Sequence, residues 1–184
     1  MVVAPEAQES KRDAEAVRQK VAAITALGDR PSNQPRQTVL SERELNAALS
    51  EDVGGLLQLP AGVVAPTVSI LGAGRVSARA VVDLDAVRRQ KSRTSVLDPM
   101  AYLSGRVPMT VTGLLRTSNG VGRFQLESAT VGGVPIPKVA LQEIVSYYSR
   151  TPERPQGMGL DEPFPLPANI REIRVDGGQA IILQ

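Results

Sequence analysis

The sequence predicts an α+β protein: antiparallel hairpins packed on a helix in the C-terminal half, with additional helices at the N-terminal end. Three observations carry this. Around Asn119-Gly120, apolar and polar residues alternate on both sides of a dipeptide that favours a type I′ turn, because both its central residues need positive φ. The corner Val131-Gly132-Gly133-Val134-Pro135-Ile136-Pro137 then stops the second strand and opens an amphipathic helix. Upstream, helical spacing runs to Gly54-Gly55, and from Pro66 the apolar period is two.

Residues 5–27 form the first helix, with a narrow seam of Ala14, Val17, Val21, Ile24 and Leu27. Lys11, Arg12, Glu15, Arg18 and Gln19 lie on the opposite face, and Gly28 and Pro31 end the element. Such a seam suits packing on its own domain, an oligomer or partner-protein contact, or the stalk of an anchored protein. A polar linker to Gln37 follows, so the chain divides into a helix and linker over 1–37 and one α+β domain over 38–184. Thr38-Val39-Leu40 leads into a capping box, in which Ser41 and Glu44 exchange side-chain to backbone hydrogen bonds. Leu45, Ala48, Leu49 and Val53 continue one helical face until Gly54-Gly55. Glu42, Glu44, Glu51 and Asp52 read as a solvated face with capping duty.

From Pro66, Val68 and Ile70 approach Gly72-Ala73-Gly74. Val76, Ala78, Ala80, Val82 and Leu84 then alternate with Arg75, Ser77, Arg79, Val81 and Asp83. A three-residue loop sets Ile70 against Val76 and Val68 against Ala78, which matches apolar with apolar. Gly72-Ala73-Gly74-Arg75 begins like a dinucleotide fingerprint, but the third glycine is missing and a strand follows. Arg88, Arg89, Lys91 and Arg93 form the basic run, read as a loop between strands that is either solvated or an electrostatic contact with anionic headgroups or an acidic partner. Leu97 to Leu103 is a short turn or helix containing Tyr102.

At Asn119-Gly120, a two-residue loop pairs Leu115 with Phe124, Gly113 with Leu126 and Val111 with Ser128. On the other face it pairs Arg116 with Arg123, Leu114 with Gln125 and Thr112 with Glu127. The Arg116/Arg123 pair must splay apart or find acids. Gly113 in mid-strand predicts a bend or a close approach by another group. In the helix 137–149, Pro137, Leu141, Ile144, Val145 and Tyr148 share one stripe, while Lys138, Gln142, Glu143 and Ser146 face away. Five prolines make Thr151 to Pro167 an extended loop pinned to the body. Gly177-Gly178 closes a last hairpin, with Val175 opposite Ala180 and Ile173 opposite Ile182.

Composition excludes more than it assigns. The 184 residues include no His and no Cys, which removes a Ser-His-Asp triad, a cysteine nucleophile, a thiolate zinc site and an imidazole ligand. No catalytic residue, cofactor or metal is expected, and the protein reads as non-enzymatic. Asp83, Asp85, Glu127, Asp161 and Glu162 are carboxylates with no His or Cys to work with. A net charge of +2, 3% aromatic residues and no Trp predict no nucleic-acid partner. No apolar run approaches the length of a membrane span, and no positively charged region with an apolar core opens the chain. Met1-Val2-Val3-Ala4-Pro5-Glu6 reads as a mature amino terminus left after a removed signal or anchor, or as a cytosolic start.

The element order resembles bacterial envelope proteins of the tubular lipid-binding (TULIP-like) kind, including small exported phospholipid-binding domains. Three stretches carry it: Leu-Ser-Glu-Arg-Glu-Leu-Asn-Ala-Ala-Leu (40–49), Val-Gly-Gly-Val-Pro-Ile-Pro (131–137), and the closing run from Phe164 to Leu183. Helix 5–27 and the basic segment 88–93 lie outside that pattern, and the chain is short for a full tubular module. The resemblance implies a long, bent sheet wrapped on helix 137–149, an apolar groove between them, and a periplasmic or otherwise exported location, with membrane anchoring of a precursor. The groove would bind a lipid or other long apolar ligand through area burial. Its candidate lining is Val76, Ala78, Ala80, Val82, Met109, Val111, Leu115, Phe124, Leu126, Leu141, Ile144 and Tyr148. The competing expectation is a structural module of an envelope complex with a fully packed core.

Overall fold

Turns and caps written in the sequence set the frame. A computed structural model describes residues 5–29, 34–51, 62–90 and 104–184, with side chains for all of these but 5–11, 51, 88, 90 and 148. In chain order the elements are α1 (Pro5–Asp29), β1 (Gln37–Ser41), α2 (Glu42–Glu51), β2 (Val63–Gly72), β3 (Arg75–Asp83) and α3 (Leu84–Gln90). Then come β4 (Arg106–Ser118), β5 (Val121–Val131), β6 (Val134–Pro135), α4 (Lys138–Tyr148), β7 (Phe164–Pro165), β8 (Glu172–Asp176) and β9 (Gln179–Leu183). The fold is α+β. Among the described residues it has two antiparallel sheets, one of order β1-β9-β8 and one of order β2-β3-β4-β5-β6 with β7 also on β5.

Asn119 and Gly120 both take positive φ, 50° and 78°, as a type I′ turn requires. They hold Leu115 opposite Phe124, Gly113 opposite Leu126 and Arg116 opposite Arg123, the predicted register. Beyond Gly113 the register departs from expectation. Thr112 stands opposite Ser128 and Val111 opposite Ala129, because Glu127 is the extra residue of a β-bulge. The bulge exchanges the faces of everything after it. Leu126 and Ala129 are consequently both buried, with Glu127 and Ser128 exposed between them.

The β2–β3 hairpin keeps its predicted pairs, Ile70 with Val76 and Val68 with Ala78. Its loop differs. Gly72 pairs with Arg75, the turn is Ala73-Gly74, and the exposed Leu71 bulges out to supply the extra residue. The strand also starts earlier than Pro66, at Val63, with a second irregularity between Val64 and Thr67, where Pro66 has no N–H to donate. The last hairpin has the predicted pairs Val175–Ala180 and Ile173–Ile182. It joins Thr38-Val39-Leu40, which forms the strand β1, so the sheet of hairpins is two sheets rather than one.

Leu84 does not continue the strand. The Asp83 carboxylate accepts from the Ala86 backbone N–H at 2.9 Å and caps α3, whose first residue Leu84 is buried. Residues 88–90 therefore end a helix and do not lie in a loop. Lys91, Arg93, Gly54-Gly55 and the segment 97–103 fall outside the described residues.

The seam of α1 is a packing face. Val17 is fully buried, and Val17 and Ile24 share a cluster with Leu40, Ala48, Ile170 and Ile182. A second cluster, Ile70 with Val175 and Ala180, joins the two sheets. A third, Leu126, Ala129 and Leu141, seats α4 on β5. Polar side chains complete the joints. The Asn46 amide donates to the Val68 carbonyl at 2.8 Å and accepts from its N–H at 2.7 Å, while Glu42 accepts from the Ile70 N–H at 2.7 Å. Together they occupy the outer edge of β2, which would otherwise offer free ladder groups. Glu42 is thus a tether to the sheet, not part of a solvated face.

Candidate functional site

The six-stranded sheet has two unlike faces, as its registers dictate. One carries Val68, Ala78, Ala80, Met109 and Val111 at its centre. The other carries Ser77, Arg79, Thr110, Thr112 and, further along, Arg116 and Arg123. The apolar face is closed at both ends by different elements. At one end Val76 and Leu115 pack with Ile70, Val175 and Ala180 beneath β8 and β9. At the other, Met109, Val111 and Phe124 pack around Leu126, Ala129 and Leu141 beneath α4, with Ile136, Val145 and Leu160.

The predicted lining is therefore divided. Val76 and Leu115 belong to one cluster; Met109, Val111, Phe124, Leu126 and Leu141 belong to the other. Between them Ala80 and Val82 are half-buried and Ala78 is exposed, although all three sit on the apolar face. Ile144 is half-buried on α4, and Tyr148 is that helix's last residue. At Leu126 and Leu141, both buried, the sheet and helix meet directly. The close approach foreseen at Gly113 comes from within the chain: a Cβ there would fall 2.6 Å from the Phe124 ring and against the Gln125 carbonyl.

Gln142 and Ser146 do face away from the sheet, but against a strap of chain. Gln142 accepts from the Leu160 N–H at 2.8 Å, and both Gln142 and Ser146 donate to the Met158 carbonyl. Lys138 and Asp161 close the strap with an ion pair of 2.6 Å. The extended segment predicted for 151–167 is thus pinned, with Leu160 and Leu166 packed while Met158 stays exposed.

The carboxylates singled out in the sequence each have a structural duty. Glu127 is gripped by Arg75 at 2.8 and 2.9 Å, and the hydrogen bonds and charge of Arg75 together outweigh burial to lower its pKa. The Ala86 N–H, then Arg106 and Arg89, outweigh burial to lower that of Asp83. Asp85 accepts from the Gly105 N–H at 3.1 Å, and Glu162 binds Arg154 and the Gly159 N–H. Among the described residues, no three acidic side chains are grouped to hold a metal ion, and no helix is long and apolar enough to cross a membrane. Of the basic segment, Arg89 is exposed on α3.

Where β8 meets β4, a second feature appears that the sequence reading missed. Thr117 accepts from the Ile173 N–H at 2.6 Å and donates to the Ile173 carbonyl at 2.9 Å, stitching the sheets together. Beside this joint lies an open cleft of about 290 Å³, floored by Leu115, Ile173 and Val175 and rimmed by Arg116, Glu172 and Arg174. It shares Leu115 with the predicted lining. No family model, curated protein or solved structure matches this chain.

Proposed function

We propose that this protein is a non-catalytic carrier of a lipid or similarly long apolar ligand at a bacterial cell envelope. The ligand lies along the apolar face of β3, bounded by α4. The observation that carries the reading is the strip of Ala78, Ala80 and Val82: an apolar sheet centre left partly open between two packed clusters. An acyl chain laid there would gain about 25 cal/mol per Å² of apolar surface removed from water. Small side chains keep the strip shallow enough to admit one. The resemblance read in the sequence to tubular lipid-binding proteins supports the same reading. In this reading Arg88, Arg89, Lys91 and Arg93 would meet anionic headgroups.

The direct seating of Leu141 on Leu126, and the Phe124 ring against Gly113, favour a second reading: an interaction module of an envelope complex with no ligand. A single substitution separates the two. Ala78 is exposed, so Ala78→Phe should leave the melting temperature within a degree or two of wild type, equivalent to less than about 0.5 kcal/mol. Under the carrier reading it should also reduce uptake of a fluorescent fatty-acyl lipid by about tenfold. Wild type that takes up none would leave the module reading in place.

A further inference from the structure

Arg116 and Arg123 are direct cross-strand partners on the polar face of β4 and β5. Both are exposed, and no carboxylate among the described residues pairs with either. Their neighbours are satisfied. Arg75 is held by Glu127 at 2.8 Å, and Arg174 by Glu172 at 2.7 and 3.0 Å. Like charges directly opposite one another destabilise a sheet, so this pair stands as an uncompensated feature.

Its position gives it a use. Arg116 is on the rim of the cleft between β4 and β8, together with Arg174. The Glu172 carboxylate is also on that rim, but Arg174 occupies both its oxygens. Thr117 is already committed to Ile173. The charge left over at the edge of the cleft is therefore that of Arg116, and Arg123, its cross-strand partner on β5, adds a second beside it.

We infer that this edge is an anion site that takes a phosphoryl group. A phosphate monoester carries a charge of about −1.5 to −2 and three strong acceptor oxygens, which two guanidinium forks can share. A carboxylate would neutralise only one of the two arginines. A lipid headgroup and a free phosphate present the same chemistry here.

The test follows thermal stability of the whole chain in inorganic phosphate against sodium chloride at matched ionic strength. A parallel arm follows co-sedimentation with phosphatidylcholine vesicles with and without phosphatidic acid. The variants are Arg116→Gln, Arg123→Gln and, as a control on the same polar face, Arg79→Gln. Phosphate-specific stabilisation, weakened about tenfold or more in the first two variants and kept in the third, is expected for a soluble phosphoryl ligand. Without phosphate, Arg116→Gln should melt no lower than wild type, since it removes a repulsion. Selective binding to phosphatidic acid vesicles alone, with the same variant pattern, would identify the source as a headgroup. Phosphate acting as chloride does and vesicle binding indifferent to all three variants would overturn the site, as would equal loss in Arg79→Gln. Inorganic phosphate has no acyl chain, so this outcome is independent of the apolar-ligand reading.

Discussion

Single residues in this protein hold elements together as well as ending them. Glu44 shows how. Its carboxylate accepts from the Ser41 backbone N–H at 2.8 Å and the Ser41 hydroxyl at 3.1 Å, the predicted capping box, and also from Lys20 of α1 at 2.6 Å. Lys20 donates to the Val39 carbonyl as well, at 2.8 Å. Burial works to raise the Glu44 pKa, but the hydrogen bonds from Lys20 and Ser41 and the Lys20 charge together bring it below the ordinary value. A carboxyl depressed in the folded state contributes stability above its unfolded pKa and loses it as pH falls through the folded one. Glu44→Gln should therefore cost about 0.5–2 kcal/mol near neutral pH. The gap from wild type should narrow as melting is followed below pH 4.5. A gap that does not change with pH would show that the carboxylate charge plays no part. The capping box was legible from four residues of sequence; Lys20 was not, because nothing local places a residue 24 positions upstream beside it.

At the scale of elements, legibility followed the range of the interaction. All three hairpins had their central pairs readable, because turn residues and alternation act within a few positions. The Glu127 bulge was not readable. Nothing local marks it, and its effect is to bring Ala129 onto the face where α4 packs, a tertiary requirement. The helix α3 was missed although Asp83 gave a cap signal, since the alternation of β3 runs straight into Leu84. The edge clamp of Asn46 and Glu42 on β2 joins elements across a long segment and had no signature. Face assignment in the central hairpin can be tested directly. Leu126→Asp places a charge among Ala129 and Leu141 and should destabilise by more than about 3 kcal/mol. Gln125→Asp, exposed on the opposite face, should stay within about 0.5 kcal/mol of wild type. Equal melting temperatures for the two would mean that the wrong face is buried.

On the scale of the molecule, three apolar clusters are strung along two sheets, and α1 contributes to the first through Val17 and Ile24. The candidate lining was legible as an apolar face; its division between two packed clusters was not, because it depends on where β8 and α4 land. What remains between those clusters is the open strip around Ala78, and the central claim is that a long apolar ligand lies on it. Native mass spectrometry of the protein purified without detergent, with organic extraction of the same sample, tests this most directly. The expected spectrum has a second species heavier by one lipid, restored by adding that lipid after its removal and strongly depleted in Ala78→Phe. A single apo mass, unchanged after incubation with extracted bacterial lipids, would contradict it.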